Sequence, residues 1–424
     1  MDLDMDLYGA SYSPSVVGAS ASSLSLAQSP VRLAGAPAPN ASSKSSGPFF
    51  RDAQICPDGS CVLGAADDRS LSLFSLPSQS GPFPSWAPSW TYQPPDSLLS
   101  YAWYPGASSA DPAMFAFTVG VKDHPVQLLD GTDQRVRASY PIVDHRERFV
   151  APHSMIFSPD GSSLYCGFDN AIEIFDLSAP GAEGYRLQTT PTRGSRQGQK
   201  GIISTLAFSP SHGTSLLAAG SFSGSIGLYD PNSDSSLVGL LGSSQKGGLT
   251  KVLFHPTVPH LLFCASRQSN HLEVYDLRNF SSEAGRIRRK GRTNQRLGFD
   301  VDPTGTWLAA GDQDGNLSIF DAQLAAMGDS EQTVEPISTF AISKEPVGAA
   351  LFRPAFPHIP QLVTCSGTRH FAHAPKRRAV HGGGGTLNSD SEDTEEEDEQ
   401  REQEQEHEAR EEEQTPSLEL WQWN

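Results

Sequence analysis

Residues 154 to 177 read SMIFSPDGSSLYCGFDNAIEIFDL and contain three short apolar segments joined by two turns. The first segment ends in an aromatic residue and a Pro-Asp-Gly turn. The second segment is small and apolar, and the third alternates before it closes on Phe-Asp. Apolar runs of about four to eight residues bounded by turn residues indicate β-strands. This stretch therefore predicts a unit of three consecutive short strands.

The same order of segments recurs seven times between Phe49 and the C-terminus. The opening segments read AQICPDGS, YAWYPGAS, SMIFSPDGS, TLAFSPSHG, KVLFHPTVP, GFDVDPTGT and AALFRPAFP. The middle segments read CVLGAA, MFAFTV, LYCGF, LLAAGS, LLFCAS, WLAAGD and QLVTCSG. The closing segments read LSLFSL, VQLLD, IEIFDL, IGLYD, LEVYDL, LSIFDA and LELWQW.

A repeat of about 40 to 45 residues with an aromatic-Asp closure is typical of a β-propeller. One such unit cannot bury both of its faces alone, whereas seven units packed radially can. We therefore predict one all-β domain, a seven-bladed WD-repeat β-propeller. An irregular β-sandwich is the alternative.

The repeat order also predicts where the loops lie. If the three strands are a, b and c, and an outer strand d leads to the next unit, the d-to-a and b-to-c loops emerge on one face, here called the top. The a-to-b and c-to-d turns emerge on the bottom face. The last unit lacks its own strand d, so the chain before Phe49 must supply it. The best-patterned stretch there is Leu24 to Leu33.

Composition divides the chain into three parts. Residues 1–48 form a Ser-, Ala- and Pro-rich extension that we expect to be disordered, apart from a segment that closes the last blade. Residues 49–374 and 416–424 form the propeller, and residues 375–415 are a basic and then acidic disordered insertion in the last blade.

The net charge of the chain is −18. Asp390 to Glu413 hold 15 acidic and two basic residues, so the remainder of the chain carries only −5.

Several classes of protein are disfavoured by the composition. The cysteines are odd in number, lie mostly in apolar runs and form no Cys-x-x-Cys pair, which predicts buried free thiols in a reducing compartment and no metal site. They are Cys56, Cys61, Cys166, Cys264 and Cys365. No signal peptide and no apolar run of about 20 residues is present, which predicts a soluble, intracellular chain without a membrane partner.

Catalytic motifs are also missing. GSRQGQKG, residues 194–201, has the wrong spacing for a phosphate-binding loop and precedes a strand rather than a helix. No G-x-S-x-G or H-E-x-x-H motif occurs. We interpret His153 and His255, which border apolar strands, as structural. The sequence predicts a protein that is not an enzyme and needs no cofactor.

Positive charge is concentrated in GRIRRKGRTNQR, residues 285–296, and in two neighbouring d-to-a loops. The cations of these loops, before the fourth, fifth and sixth units, are Arg193, Arg196 and Lys200, then Lys246, then Arg292 and Arg296. A shared top face would make them one anion-binding patch rather than solvated loop charges. Asn294 and Gln295 would either read base edges or tie the loops to the backbone.

Three further arginines of this stretch, Arg286, Arg288 and Arg289, are expected in strand d, where charge protects a sheet edge. Arg296 would be structural if Asp300 or Asp302 held it inward. The excess of arginine over lysine favours a nucleic-acid backbone as the ligand, because guanidinium groups bind phosphate bidentately and stack on bases.

The insertion carries two weaker signals. Lys376, Arg377 and Arg378 form a short basic cluster that predicts nuclear import, with an ordinary loop as the alternative. Ser389 and Thr394 each precede an acidic residue by three positions, which is typical of sites for acidophilic kinases. A merely solvating acidic run is the alternative for this segment.

A more specific resemblance rests on CPDGSCVL, HSMIFSPDGSSLYCGF, QKGIISTLAFSP, GSFSGSIGLYD, GGLTKVLFHP and TNQRLGFDVDPTG. These strings resemble the telomerase Cajal body protein family over about residues 50 to 370 and the terminal LELWQW. The resemblance implies a seven-bladed propeller that binds the Cajal-body localisation box of H/ACA-type small RNAs, including telomerase RNA, and guides these particles to nuclear bodies. Fungal relatives are linked to splicing factors. The N-terminal extension and the acidic insertion depart from the family pattern.

We therefore expect a non-enzymatic RNA-binding scaffold for ribonucleoprotein assembly, with small nuclear RNA, ribonucleoprotein proteins and splicing factors as partners. We expect a monomer in the nucleus, with the cytoplasm as a second location. The alternative is a protein-only scaffold for a splicing complex or a ubiquitin-ligase adaptor. A basic top rim would favour RNA, and an apolar or acidic rim would favour a protein partner.

Overall fold

The computed structural model is built almost wholly from β-strands. It describes residues 28–37, 48–77, 86–192, 194–195, 197–210, 216–231, 236–243, 247–279, 282–323, 333–354, 360–369 and 417–423. Within these ranges the one helical element is a 3-10 turn, Leu277–Asn279. None of the helices in the described ranges is long and apolar enough to cross a membrane.

The strands form seven sheets. In chain order the first strands are β1 (Val31–Ala36), β2 (Phe50–Ile55), β3 (Cys61–Ala66), β4 (Leu71–Ser75), β5 (Trp90–Tyr92), β6 (Leu98–Trp103), β7 (Ala116–Val121), β8 (Val126–Asp130) and β9 (Val136–Tyr140). They continue with β10 (Ser154–Phe157), β11 (Ser163–Phe168), β12 (Ala171–Asp176), β13 (Tyr185–Gln188), β14 (Ile203–Phe208), β15 (Leu217–Ser221), β16 (Ser225–Asp230) and β17 (Ser236–Gly242).

The remaining strands are β18 (Leu249–Phe254), β19 (Leu261–Ser266), β20 (His271–Asp276), β21 (Gly285–Arg288), β22 (Phe299–Val301), β23 (Trp307–Gly311), β24 (Asn316–Asp321), β25 (Thr333–Val334), β26 (Ser338–Ala341), β27 (Val347–Phe352), β28 (Gln361–Ser366) and β29 (Leu418–Gln422). Blades 1 to 5 begin at β2, β6, β10, β14 and β18. Blade 6 is β22-β23-β24-β26, and blade 7 is β27-β28-β29-β1. The prediction of a seven-bladed propeller is confirmed.

The core is divided between the blades. Seven clusters of buried apolar side chains fill the seven interfaces between neighbouring blades in the described part of the chain. Between blades 2 and 3, for example, the rings of Tyr140 and Phe175 lie 5.5 Å apart. Each blade is therefore stabilised by both neighbours, and an unclosed ring would expose two apolar faces.

The repeated turn residues have local physical reasons. In the a-to-b turn of blade 3, Gly161 has a φ of +71°, and a Cβ there would lie 2.6 Å from the Tyr104 hydroxyl. Asp160 accepts a hydrogen bond from the Ser162 amide at 3.1 Å. At the end of strand c, the Asp176 carboxylate accepts a hydrogen bond from the Ser178 amide at 2.8 Å. The Asp-Gly and aromatic-Asp signals therefore correspond to capped turns on the bottom face.

The chain ends meet in blade 7. Strand β1 pairs antiparallel with β29, and Ala36 lies opposite Leu418. Only Val31 to Leu33 of the predicted stretch lie in this strand, which continues to Ala36, while residues 24–27 lie outside the described residues. The shift places Leu33, Ala34 and Ala36 in the cluster between blades 7 and 1. Burial of this interface, more than alternation along the sequence, decides which residues form the strand.

Blade 5 has an additional strand. Strand β25, from the segment between β24 and β26, pairs in parallel with β21 and covers its outer edge. Arg286 and Arg288 lie in β21 and form ion pairs with Glu283 and Glu335. Arg289 corrects the prediction, because it follows the strand, is buried and donates from Nη1 to the Leu297 carbonyl at 2.8 Å. It supports the loop rather than the sheet edge.

All five cysteines are buried free thiols. Burial raises the pKa of the Cys166, Cys264 and Cys365 thiols well above the usual value. They are therefore neutral apolar side chains within the blades, which suits their positions in apolar runs.

Candidate nucleic-acid interface

The top face carries the start of each strand a and the end of each strand b. Of the predicted binding residues, the described ones are Lys200, Arg292, Asn294, Gln295 and Arg296. The others lie outside the described residues: Arg193, Arg196, Lys246, Lys376, Arg377, Arg378, Ser389 and Thr394. Their predicted roles stay predictions.

Lys200 and Arg292 are exposed at the outer rim of this face. Neither forms an ion pair with a described residue. The loop that carries Lys200 is held from below by Gln199, which is fully buried and donates to the Ala219 and Ser225 carbonyls at 2.7 and 3.0 Å. A buried amide thus fixes a loop whose next side chain is a cation without an ion pair to any described residue.

The two predicted amides are both engaged within the protein. The Asn294 carbonyl oxygen accepts a hydrogen bond from Gln268 Nε2 at 2.7 Å. Gln295 Nε2 donates to the Gly367 carbonyl at 2.7 Å, which connects the loop before blade 6 with blade 7. In this state both amides tie loops together, which is the second of the two interpretations given above.

Arg296 is not at the rim but is recessed toward the propeller axis. Its guanidinium carbon lies 6.0 Å from the ring centre of Phe222, two blades away. Desolvation lowers its pKa, Asp52 of blade 1 raises it, and Arg267 of blade 5 lowers it. A side chain from the loop before blade 6 that neighbours blades 1, 4 and 5 must lie close to the axis on which the blades converge.

The two aspartates that would have made Arg296 structural have other roles. Asp300 accepts a hydrogen bond from the Phe352 amide at 3.0 Å. Asp302 caps the a-to-b turn of blade 6 by accepting from the Thr306 and Trp307 amides at 2.7 and 2.6 Å. Neither forms an ion pair with Arg296 within the ranges that the structure covers.

Arg267 is a site residue that the sequence reasoning missed. Its guanidinium carbon lies 4.8 Å from the Phe222 ring centre, and its Nε is buried without a hydrogen-bond partner among the described atoms. Arg267 lies in the b-to-c loop of blade 5, and Phe222 lies in the b-to-c loop of blade 4. The cations predicted for this face all came from d-to-a loops, although b-to-c loops share the same face. Searching both loop sets would have found Arg267 and Phe222.

The floor below these residues is polar. Burial raises the pKa of the Asp52 carboxyl, and Arg296, Lys251 and Arg51 oppose this shift. The Tyr101 hydroxyl of blade 2 is buried with no hydrogen-bond partner in the described part of the chain. Burial, and then the Asp52 charge, raise the pKa of Tyr101 well above its usual value, so it stays a protonated donor.

We call Phe222, Arg267 and Arg296, with His153 beside them and Asp52 and Tyr101 below, the channel mouth. The His153 ring lies 6.3 Å from the Phe222 ring. Desolvation and then the Arg296 charge lower the pKa of His153, so its imidazole is neutral near pH 7. The channel mouth therefore combines two guanidinium groups with two uncharged rings.

His255, in contrast, is buried and its Nε2 is hydrogen-bonded to the Gly305 carbonyl at 2.9 Å, as expected for a structural residue.

The acidic insertion is attached to the same face. It leaves blade 7 after Arg369, which forms an ion pair with Asp67 at 3.6 Å, and returns at Ser417. Ser417 is fixed by donating from its amide to the Ala36 carbonyl at 3.0 Å. Both attachment points lie in the b-to-c loop, so the net charge of −13 that residues 390–413 carry is tethered on the side of the channel mouth. No group of three or more His, Cys, Asp or Glu residues in the described ranges could hold a metal ion.

Comparison with known proteins agrees with this architecture. Residues 292–321, which lead into and form the first three strands of blade 6, match the family WD domain, G-beta repeat. Seven blades, each with at least four strands, define the chain as a β-propeller, and blade 6 matches a WD repeat.

Within that class the chain has named relatives. It is 34% identical over 329 residues to Telomerase Cajal body protein 1 of Mesocricetus auratus, a match that covers 76% of this chain and 59% of the relative. The protein of the same name from Homo sapiens is 33% identical over 76% of this chain and 58% of its own length. Guanine nucleotide-binding protein negative regulator 1 of Schizosaccharomyces pombe is 29% identical over 63% of this chain and 69% of the relative.

The resemblance stated from the sequence is therefore confirmed: the chain is a homologue of proteins named Telomerase Cajal body protein 1. The aligned part spans less than three fifths of the length of these relatives. The similarity is distributed over most of the propeller and is not confined to a single repeat.

Proposed function

We propose that the protein is a non-enzymatic, RNA-binding scaffold that supports ribonucleoprotein assembly in nuclear bodies. Its RNA would be an H/ACA-type small Cajal body RNA or telomerase RNA, and ribonucleoprotein proteins would assemble with the complex. The names of the relatives support the association with telomerase and Cajal bodies. On this proposal the protein acts in the nucleus.

The observation that carries the proposal is the concentration of cations without ion-pair partners on one face of an acidic chain. Lys200 and Arg292 are exposed there without a described ion pair, and Arg267 and Arg296 are recessed between them. A polyanion that covers this face would contact cations of several blades at once. Phosphate binding of this kind gives an affinity that falls with salt.

The test is RNA binding by a double variant, Arg292→Glu with Arg296→Glu, measured against salt concentration together with thermal stability. We expect the propeller to remain folded and the affinity for an H/ACA-type RNA to be abolished. A neutral version, Arg292→Gln with Arg296→Gln, should flatten the logarithmic salt dependence by about 0.7 for each lost phosphate contact to a single strand.

Arg278→Glu is the matched control. Arg278 is exposed on the opposite face, where it pairs with Asp276 at 2.7 Å. Its reversal should leave RNA binding unchanged. Undiminished affinity in the folded Arg292→Glu, Arg296→Glu protein would show that these cations serve another partner.

A protein-only scaffold is the second candidate, and one observation favours it. The Schizosaccharomyces pombe relative is named for a guanine nucleotide-binding protein, and this chain aligns with 69% of its length. RNA crosslinking in cells separates the two functions, since a protein-only scaffold would recover no specific small RNA.

A further inference from the structure

The channel mouth holds polar groups that the fold leaves unsatisfied. Arg267 Nε and the Tyr101 hydroxyl are buried without hydrogen-bond partners in the described structure, and Arg296 forms no described ion pair. Unsatisfied buried polar groups are uncommon and costly in native proteins. Arg267 and Tyr101 come from different blades and converge with Arg296 on one opening, so a missing ligand explains their unsatisfied groups better than independent defects.

From this geometry we infer that the channel mouth binds a single unpaired nucleotide, with its phosphate on Arg267 and Arg296 and its base against Phe222 and His153. This inference rests on the proposed function and specifies which part of the RNA enters. Phe222 and neutral His153 provide aromatic faces on which a base stacks. The guanidinium groups lie within 4.8 and 6.0 Å of the Phe222 ring, so phosphate and base contacts are adjacent.

The shape of the site excludes duplex RNA as the ligand at this point. Arg296 is recessed among side chains of five other blades. They are Asp52, Tyr101, His153, Phe222 and Arg267, which interact electrostatically with Arg296 or lie near its guanidinium group. The phosphates of an A-form helix lie on a broad convex surface that cannot enter between the inner strands of the blades. A nucleotide turned out of its strand can enter, as in the recognition of loops.

The two groups below the arginines, Asp52 and Tyr101, favour a nucleotide over an acidic peptide as the ligand. Asp52 lies below the arginines and would repel a carboxylate that penetrated further. It would not repel the neutral edge of a base. The Tyr101 hydroxyl beside Asp52 is a donor that such an edge can satisfy. A nucleotide fits this arrangement, because its anionic phosphate would contact the arginines and its flat, polar base would reach the groups below them.

The experiment compares a short single-stranded RNA with the duplex formed with its complement. The variants are Phe222→Leu and Arg267→Gln, with Arg278→Gln on the bottom face as the matched control. We expect Phe222→Leu and Arg267→Gln to weaken single-strand binding by about 10-fold each, as for the loss of one stacked base. Duplex binding through the rim should change by less than about twofold in Phe222→Leu, and Arg278→Gln should change neither affinity.

Tyr101→Phe gives a second readout that folding defects do not imitate. It removes only a buried hydroxyl beside Asp52, so the fold and its thermal stability should change little. Single-strand affinity should fall by about 3- to 10-fold, and only for the base that donates to or accepts from this hydroxyl.

The outcomes are distinct. Folded Phe222→Leu and Arg267→Gln proteins that bind the single strand as the unaltered protein does would overturn this inference and leave the proposed function intact. Equal losses for single strand and duplex would also overturn it, because the residues would then belong to a general phosphate patch. An unaltered protein that binds neither RNA would remove the proposed function itself.

Discussion

Two regions of this propeller hold arginines whose buried nitrogen atoms have opposite surroundings. At the seam, where blade 7 closes against blade 1, Arg353 Nε donates to the Gly59 carbonyl at 2.7 Å, and Nη1 donates to the Pro77 carbonyl and Gln361 Oε1 at 2.8 and 2.7 Å. At the channel mouth, Arg267 Nε has no partner in the described structure.

The difference separates structural cations from candidate binding cations. A buried guanidinium with hydrogen bonds to two blades stabilises their contact, and its removal leaves acceptors unsatisfied. A half-buried guanidinium whose buried nitrogen lacks such bonds contributes little to the fold and is available to bind an anion. Burial alone therefore does not identify the role of an arginine, whereas its hydrogen-bond partners do.

The strongest test of the seam removes its strand. Deleting residues 1–45 eliminates β1 and exposes the apolar faces of β29 and blade 1, including the contacts of Leu33 and Ala36. We expect a loss on the order of 5 kcal/mol in the free energy of unfolding, comparable with the whole stability of many domains, together with aggregation. Thermal and denaturant unfolding measure this loss.

Deleting residues 1–20 is the control for that truncation. It ends before the first described residue, Gln28, and leaves β1 complete. Its unfolding should match that of the full chain. Equal behaviour of the two truncated proteins would mean that β1 does not stabilise the ring.

The contrast between the arginines is tested by matched substitutions, Arg353→Gln and Arg267→Gln. The first leaves the Gly59 and Pro77 carbonyls buried without their donor and should lower the free energy of unfolding by about 3 to 5 kcal/mol. The second removes a guanidinium whose buried Nε has no described partner and should change stability by less than about 1 kcal/mol. Similar losses in both, measured by denaturant unfolding, would contradict the distinction.

The seam also predicts a pH dependence. Burial raises the pKa of Glu419 from 4.5 to about 7, although Arg32 lies 3.1 Å away and opposes the shift. Because the folded state binds this proton more tightly than the unfolded state, its stabilising effect is complete below pH 4.5. It is lost as the pH rises toward 7 and above.

Glu419→Gln should remove this pH-dependent loss of folding stability. Between pH 5 and 8, the stability of the variant should decline by about 2 kcal/mol less than that of the unaltered protein, measured by unfolding at each pH. The same pH slope in both proteins would show that Glu419 ionises normally.

The smallest expected effect on stability comes from the acidic insertion. Deleting residues 380–414 removes no described strand, so the melting temperature should change by less than about 2 °C. RNA affinity should rise a few-fold at low salt, because negative charge tethered on the side of the channel mouth repels RNA, and this gain should vanish at high salt. A large drop in melting temperature would show that the insertion is part of the folded domain.

Much of the fold was predictable because its information is local. Turns such as Pro159-Asp160-Gly161 and closures such as Phe175-Asp176 work through neighbours a few residues away. The regular spacing of the closing aromatic-Asp segments then gave the number of blades. Strand β1 was located less accurately, since its ends depend on β29, which lies almost 400 residues further along the chain.

The candidate site was less predictable. Lys200 and Arg292 are exposed on loops, as the local pattern of charge in the d-to-a loops suggested. Asn294 and Gln295 looked equally free, yet each bonds a residue on a distant loop. Arg289 looked like an edge cation and is buried instead. Side-chain partners of this kind depend on which blades are adjacent, and no short sequence pattern contains that information.

The sequence by itself determined the repeat, its count and the face on which each loop emerges, because strands and turns follow from residue types at short spacing. Only the tertiary structure decided that Phe222, Arg267 and Arg296 meet at one opening, with Tyr101 beneath them. These residues lie on different blades and become neighbours when the ring closes. Ring closure brings inner loops to a common axis, so contacts across that axis have no signature in the linear order of the chain.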